Sequence, residues 1–140
     1  MVAYGRMVPV VQPRSNTQFR WDPRCEKLVA SLPVSIRAAI INDLQSFERL
    51  WKMSTIGTPF PKRFDYKSLH NVPGQYRVCQ IRIVQQDYRA IILFPDKHID
   101  AWWIYVFKKE RKNDRQDVSL GIVKARDFWN IVKEKYDEPT

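Results

Sequence analysis

Apolar residues recur at two different spacings along the chain, and the change comes near the middle. In the first half, five of them follow one another at steps of three or four residues: Ile36, Ile40, Leu44, Phe47 and Trp51. This spacing lies along one face of an α-helix, and Cys25 to Leu32 repeats it directly after Asp22-Pro23, a favourable helix start. We therefore predict two consecutive helices, preceded by a short strand from Thr17 to Trp21.

From Tyr76 onward, the apolar residues form runs rich in β-branched and aromatic side chains. Tyr76 to Val84, Tyr88 to Phe94 and Ala101 to Phe107 are typical of strands, and their short connections predict an antiparallel meander. The second and third runs are almost continuously apolar, which predicts strands covered on both faces. Thr55 to Gly74 is predicted as a long loop because it is rich in proline and glycine.

A final helix is predicted near the C-terminus, where Asp117 or Ser119 can cap it. Its apolar residues lie on one side: Val118, Ile122, Ala125, Trp129, Val132 and Tyr136. Residues 1–16 show no period and predict an irregular lead-in, followed by a single domain over residues 17–140. The element order predicts an α+β domain, in which an N-terminal strand and a two-helix hairpin pack on an antiparallel sheet with a C-terminal helix.

Composition adds a strong positive charge to this picture. The 140 residues include 24 Lys and Arg against 15 Asp and Glu, a formal net charge of +9, which favours a polyanionic partner such as nucleic acid. The longest uninterrupted apolar run, Ala101 to Phe107, is far shorter than the roughly 20 residues of a membrane-spanning helix. Met1 to Val11 lacks the apolar core of a secretory signal, so we expect a cytoplasmic protein without a membrane anchor.

Familiar metal and cofactor motifs are missing from the sequence. The two cysteines and two histidines lack the spacing of a metal site, and the four glycines form no phosphate-binding loop. Cys25 and Cys79 fall within apolar elements and are interpreted as core residues. We therefore expect neither a metal nor a small-molecule cofactor.

Basic residues provide the main candidate chemistry. Arg77, Arg82 and Arg89 fall within predicted strands, where an arginine is costly unless its head reaches a surface or an anion. Lys108 to Arg115 follows the last strand and holds five bases against two acids. Together these residues predict a shared phosphate site. His70, near the end of the predicted loop, is a candidate proton shuttle.

Three stretches resemble the RelE/ParE superfamily of type II toxins. They are Leu69 to Val78, the strand start Asp87-Tyr88-Arg89 and the strand end Val106 to Arg111. In that family a helical hairpin precedes the sheet, and the last strand ends in basic residues. The ending Phe107-Lys108-Lys109 is most similar to the HigB and phage Gp49-like branch. The resemblance covers about Phe19 to Tyr136 and rests on the order and spacing of short motifs.

The resemblance implies a metal-independent ribonuclease that cleaves mRNA, commonly at the ribosome, and that a cognate antitoxin neutralises. It implies attack of a ribose 2′-OH on the adjacent phosphate, with Arg89 holding that phosphate and Arg77 as a basic residue of the preceding strand. Lys108, Lys109 and Arg111 match the basic strand ending, where the acid and further phosphate contacts are placed. Further candidate substrate contacts are Arg82, Lys112 and His70.

The sequence leaves the general base open: a lysine of the pair, His70, or no residue at all. Some RelE-like toxins carry a C-terminal tyrosine as part of their acid–base set, whereas the positions just beyond the basic segment here are Asn113 to Arg115. Two other functions are alternatives to the nuclease. One is a ParE-like inhibitor of DNA gyrase, and the other is a catalytically silent basic domain that binds RNA or protein.

Overall fold

The computed structural model describes residues 13–55, 57, 60–109 and 114–136. Within these ranges the chain forms five strands and three α-helices. In chain order they are β1 (Gln18–Trp21), α1 (Pro23–Ala30), α2 (Val34–Met53), β2 (Lys67–Val72), β3 (Tyr76–Ile83), β4 (Tyr88–Pro95), β5 (Asp100–Lys108) and α3 (Asp114–Tyr136). Short 3-10 turns cover Arg14–Asn16 and Lys62–Phe64.

The five strands form one mixed sheet in the order β1-β5-β4-β3-β2. Strands β2 to β5 run antiparallel to one another, whereas β1 lies parallel to β5 and places Trp21 beside Trp103. The parallel pairing is possible because a long stretch of chain, including both early helices, separates β1 from β5. The sheet thus joins the N-terminal segment to the last strand.

The predicted α+β arrangement is confirmed, with both early helices, the antiparallel meander and the final helix. Strands β4 and β5, predicted to be covered on both faces, lie inside the sheet and are buried or half-buried along almost their whole length. Two expectations about the sheet differ from the structure. The sheet is not wholly antiparallel, because β1 joins it in parallel. Thr55 to Gly74 is not one loop, because Lys67–Val72 pairs with β3 as an edge strand.

One face of the sheet, which we call the α2 face, packs against α1 and α2. Its centre is aromatic: the Phe47 ring lies 5.6 Å from that of Trp103 and 5.5 Å from that of Phe64. The Trp103 indole N–H donates to Glu48 Oε2 over 2.8 Å, so its one polar atom is satisfied inside the core. Packing on this face fixes the position of the strands that carry the basic residues.

The opposite face, which we call the α3 face, is covered by the C-terminal helix. This helix begins at Asp114, ahead of the Asp117 or Ser119 cap expected from the sequence. Gly121 allows a close approach, because a Cβ there would lie 2.9 Å from Leu69 Cδ1 and 3.0 Å from Ile91 Cδ1. The helix therefore crosses directly above β2 and β4.

A hydrogen-bonded network attaches the end of α3 to the start of β5. The Tyr136 hydroxyl donates to Asp100 Oδ2 over 2.6 Å and accepts from the Trp102 indole N–H over 2.6 Å. Arg20 on β1 pairs with the other Asp100 oxygen at 2.9 Å. The network ties β1, β5 and α3 together at one end of the sheet.

The division into a lead-in over residues 1–16 and a domain over 17–140 stays a prediction.

Candidate functional site

Three basic residues meet at the end of the sheet that carries the β3–β4 turn. Arg82 of β3 is the direct partner of Arg89 on β4, and Arg89 is in turn opposite Phe107 on β5. Lys109 continues this last strand, and its N–H donates to the carbonyl of Asp87 over 2.8 Å. Direct partners and alternate residues of a strand share a face. Arg82, Arg89 and Lys109, which we call the cationic cluster, therefore lie on the α3 face.

Arg89 is the buried member of the cationic cluster. The residue is only 4% exposed, and its Nη1 donates to the carbonyl of Gln86 over 2.6 Å and to that of Tyr88 over 3.3 Å. Charge-assisted bonds to carbonyls are stronger than neutral ones, which explains why an arginine is tolerated here. The same bonds hold the β3–β4 turn against the sheet.

Arg82 is half-buried and incompletely bonded. Its Nε lies 2.8 Å from Asp65 Oδ2, close enough for an ion pair, but it has no aligned hydrogen-bond partner. Gln80, two residues earlier on the same face, has a buried Oε1 that also lacks a partner. In the described part of the chain these are the two buried side-chain polar atoms without one. Such atoms are rare in folded proteins and often mark functional positions. Here Arg82 is the direct partner of Arg89, and Gln80 is opposite Ile91, two residues further along β4.

The basic strand ending divides between the two faces of the sheet. Lys108 is exposed and pairs with Tyr88, whereas the Lys109 ammonium contacts Asp117 Oδ2 on α3 at 2.6 Å. The side chains of this ion pair are 17% and 11% exposed. The pair therefore links the cationic cluster to α3. Arg111 and Lys112, also candidate site residues, lie outside the described residues.

The structure does not bring Arg77 and His70 to the cationic cluster. Arg77 pairs with Phe94, five positions along β4 from Arg89 and roughly 17 Å away at the rise of an antiparallel strand. It also faces the α2 side, with its guanidinium 5.2 Å from the Phe94 ring. His70 is exposed on the edge strand, where it pairs with Val78. Both residues are too distant to touch a phosphate held by Arg89.

The β3–β4 turn has an unusual backbone that the sequence pattern did not reveal. Val84, Gln85 and Gln86 have positive φ angles of 51°, 53° and 70°. Such angles cost of the order of 1–3 kcal/mol for each residue other than glycine and are especially rare for a β-branched residue. Asp43 of α2 supports the turn, because its Oδ2 accepts the Val84 N–H over 2.7 Å. The turn is thus held from α2 and from Arg89 at once.

Beside this turn lies an open cleft of about 470 Å³ between α2, the Lys62–Phe64 turn and β3. It opens at the same end of the sheet as the cationic cluster, and Arg82 lines it. The side chains that line it include Asn42, Arg63, Phe64, Arg82, Gln85 and Gln86. The cleft is thus lined by cationic and amide groups and by the Asp43 carboxylate, with the apolar Phe64 ring at its floor.

The thiols are placed as core residues, as expected. Burial, together with Asp22 and Glu26, raises the pKa of Cys25 to about 12, so this thiol is protonated at neutral pH. Burial also raises the pKa of Cys79, whose Sγ lies 3.1 Å from the Tyr66 hydroxyl. A thiolate is the reactive form of cysteine, so neither residue is a ready nucleophile.

The described ranges contain no cluster of three or more His, Cys, Asp or Glu that could hold a metal ion. Over the same ranges, none of the helices is both long and apolar enough to cross a membrane. Within the described residues, the polar groups of the candidate site are cations, amides and a few carboxylates.

Comparison with known proteins gives one structural match. No protein-family model and no curated protein sequence matches the chain. A solved structure described as the crystal structure of archaeal RelE-RelB complex from Pyrococcus horikoshii OT3 matches with a TM-score of 0.49 and 18% identity. The match covers 69% of this chain and 98% of that chain.

Proposed function

We propose that the chain is the toxin of a type II toxin–antitoxin system and that it cleaves mRNA at the ribosome, in the cytoplasm, without a metal. The observation that carries this proposal is the cationic cluster: Arg82 and Arg89 are direct partners, and Lys109 follows on the next strand. It supports the role that the sequence resemblance implies for Arg89 and for the basic strand ending.

The proposed reaction needs no group beyond the chain and the RNA. A ribose 2′-oxygen attacks the adjacent phosphorus as its proton leaves, the bond to the 5′-oxygen breaks, and that oxygen takes up a proton. The products are a 2′,3′-cyclic phosphate and a 5′-hydroxyl. Negative charge grows on the five-coordinate phosphorus, and fixed cations stabilise it. Arg82 and Arg89 hold the phosphate in this proposal, and Lys109 is the candidate proton carrier.

The remaining candidate residues bind RNA away from the reacting phosphate in this proposal. Lys108 is exposed beside the cationic cluster, and Arg111 and Lys112 follow it in the sequence. Arg77 and His70 can touch only more distant parts of an RNA strand. A cognate antitoxin would neutralise this surface by laying an acidic or amphipathic segment over it.

RNA has to compete with partners that the cations already have. Arg82 pairs with Asp65, whose side chain is 48% exposed, and a pair so open to water is worth little. Lys109 and Asp117 are much less exposed. Binding of a phosphate to Lys109 therefore requires the first turn of α3 to give up part of this contact.

The catalytically silent binding domain is the second candidate, and the burial of Arg89 favours it. Arg89 is only 4% exposed, and its Nη1 donates to two carbonyls. In this structure it therefore stabilises the β3–β4 turn. A chain of this kind would use the exposed lysines and arginines to bind RNA or protein and would cut nothing.

The test is to incubate the purified protein with mRNA, with and without ribosomes and in the presence of a chelator, and to map any cut ends. We expect cuts with 2′,3′-cyclic phosphate and 5′-hydroxyl ends that persist in the chelator. Arg89→Ala should lower the rate about 100-fold, as loss of one charge-stabilising donor does. Arg126→Ala removes an exposed arginine from α3 and serves as the control. Absence of cuts combined with inhibition of gyrase supercoiling would establish the ParE-like alternative instead.

A further inference from the structure

The cleft beside the β3–β4 turn has the size and chemistry of a binding site. Its volume of about 470 Å³ falls within the roughly 300–1,000 Å³ of small-molecule sites. The floor includes the buried ring of Phe64, and the Arg63 guanidinium lies 4.4 Å above that ring. A guanidinium over an aromatic ring can also stack on a second flat group with its outer face.

The rim of the cleft carries side chains that both donate and accept hydrogen bonds. Asn42, Gln85 and Gln86 are exposed amides that line it, and each amide offers an oxygen acceptor and an NH₂ donor. Unpaired RNA bases are recognised by this combination, with stacking on aromatic rings or arginine planes and amide contacts at the base edges. The cleft therefore matches a base better than a compact anion.

The positive φ angles at Val84, Gln85 and Gln86 give this rim a fixed shape. Asp43 and Arg89 hold the turn at its two ends, through the Val84 N–H and the Gln86 carbonyl. Backbone strain that its surroundings maintain is found mainly at binding and catalytic sites. Here it turns two exposed glutamines toward the mouth of the cleft, which they line.

Arg82 connects the cleft to the cationic cluster. It lines the cleft and is also the direct partner of Arg89 across the β3–β4 ladder. Direct cross-strand partners have Cβ atoms about 5 Å apart, less than the spacing of successive phosphates in an extended strand. Arg82 borders both the cationic cluster and the cleft, so a phosphate that it holds would have a neighbouring base near the mouth of the cleft.

We propose that this cleft binds one unpaired RNA base next to the reacting phosphate and sets the base preference of cleavage. This assignment rests on the proposed function for its substrate. In it, Arg63 stacks on the base, and Asn42, Gln85 and Gln86 contact its edge. Asn42 and Gln85 are then specificity-determining residues, and Arg82 holds the phosphate that joins the base to the reacting site.

The binding test uses the four ribonucleoside 5′-monophosphates as probes of the native protein, followed by NMR signals of the backbone amides. We expect at least one monophosphate to shift the Val84 to Gln86 amides in a saturable manner and to bind more tightly than another. Arg63→Ala should weaken that binding about tenfold, the scale of one lost base-stacking contact. Arg126→Ala, which removes the same charge from the helix on the opposite face of the sheet, should bind as the wild type does. Equal binding of all four probes, no shift at the turn, or unchanged binding by Arg63→Ala would overturn the proposal.

The cleavage test separates the cleft from the proposed nuclease activity. Asn42→Ala and Gln85→Ala should flatten the base preference at mapped cut sites, whereas Arg126→Ala should keep it. An unchanged preference in both cleft variants of an active nuclease would overturn the role of the cleft and leave the nuclease intact. If the wild type cuts no RNA, the proposed function fails, and the monophosphate titration still decides whether the cleft binds a base.

Discussion

Lys109 and Asp117 form a short ion pair between the end of β5 and the first part of α3. Their charged atoms lie 2.6 Å apart, and their side chains are 17% and 11% exposed. Water screens such a pair less than a pair on the open surface. Removal of one partner leaves the other charge poorly solvated. The pair therefore fixes α3 over the cationic cluster.

Asp117→Asn should lower the free energy of unfolding by about 1–3 kcal/mol, because it removes the carboxylate charge that lies 2.6 Å from the half-buried Lys109 ammonium. Urea unfolding at neutral pH measures this. The matched control is Asp127→Asn on the same helix, where the aspartate is exposed and the change should stay within about 0.5 kcal/mol. Equal effects of the two substitutions would mean that the ion pair contributes nothing specific.

The candidate residues could be selected from the sequence, but their grouping could not. Arg77 and Arg82 both lie on β3, and the weak alternation of that strand does not say which of them faces the same side as Arg89. The hydrogen-bonded register decides it by pairing Arg82 with Arg89 and Arg77 with Phe94. Register depends on contacts with other strands and on the turn, which a single strand's sequence does not contain.

At the scale of elements, the Tyr136 hydroxyl connects α3 to the sheet through Asp100 and Trp102. Burial acts to raise the pKa of the Asp100 carboxyl, but hydrogen bonds from Tyr136 and Arg20 outweigh it and hold that pKa below its ordinary value. Burial and the bond to Asp100 raise the pKa of Tyr136, so the hydroxyl keeps its proton. The contact is therefore a neutral donor on a carboxylate.

Tyr136→Phe should lower the free energy of unfolding by about 1–3 kcal/mol at neutral pH, because it removes the hydroxyl that bonds to Asp100 Oδ2 and to the partly buried Trp102 indole N–H. A carboxyl whose pKa is lowered by folding adds stability above its unfolded value of about 3.9, and that stability is lost as the pH falls through the folded value. The penalty should therefore shrink in acid. Urea unfolding at pH 7 and pH 3 checks this, with Tyr105→Phe as the control on the same face. A penalty that is equal at both pH values would contradict the assigned role of Asp100.

Gln85→Gly should raise the free energy of unfolding by about 1 kcal/mol, because glycine adopts the positive φ of 53° without steric cost. Asp87→Gly, in the same turn but without a positive φ, should instead lower stability slightly. Thermal unfolding of both variants gives the comparison. Destabilisation by Gln85→Gly as large as that by Asp87→Gly would show that the turn is not strained.

Helices and central strands could be predicted because their apolar spacing is strong, whereas the edge strand β2 could not. Its residues are half-exposed or exposed along its whole length, so the core imposes no clear alternation on its sequence. The parallel pairing of β1 with β5 was hidden for a different reason. It joins segments far apart in the chain, and no local pattern reports such a contact.

For the whole molecule, the net charge of +9 attracts polyanions in general. The fold concentrates three of the basic residues at one place. The meander brings Arg82, Arg89 and Lys109 to the end of the sheet where the β3–β4 turn lies. The cleft opens at the same end. Long-range charge would raise the rate at which RNA arrives, and the local arrangement would decide which phosphate reacts.

The rates of RNA cleavage by Arg82→Ala and Arg77→Ala test directly whether the cationic cluster is the reacting site. Both substitutions remove an arginine from β3, so they alter the net charge equally. We expect a loss of about 100-fold for Arg82→Ala, because it removes a cation from the proposed phosphate site, and a loss of at most about tenfold for Arg77→Ala. Equal losses, or a larger loss for Arg77→Ala, would contradict the assignment of the cationic cluster as the reacting site.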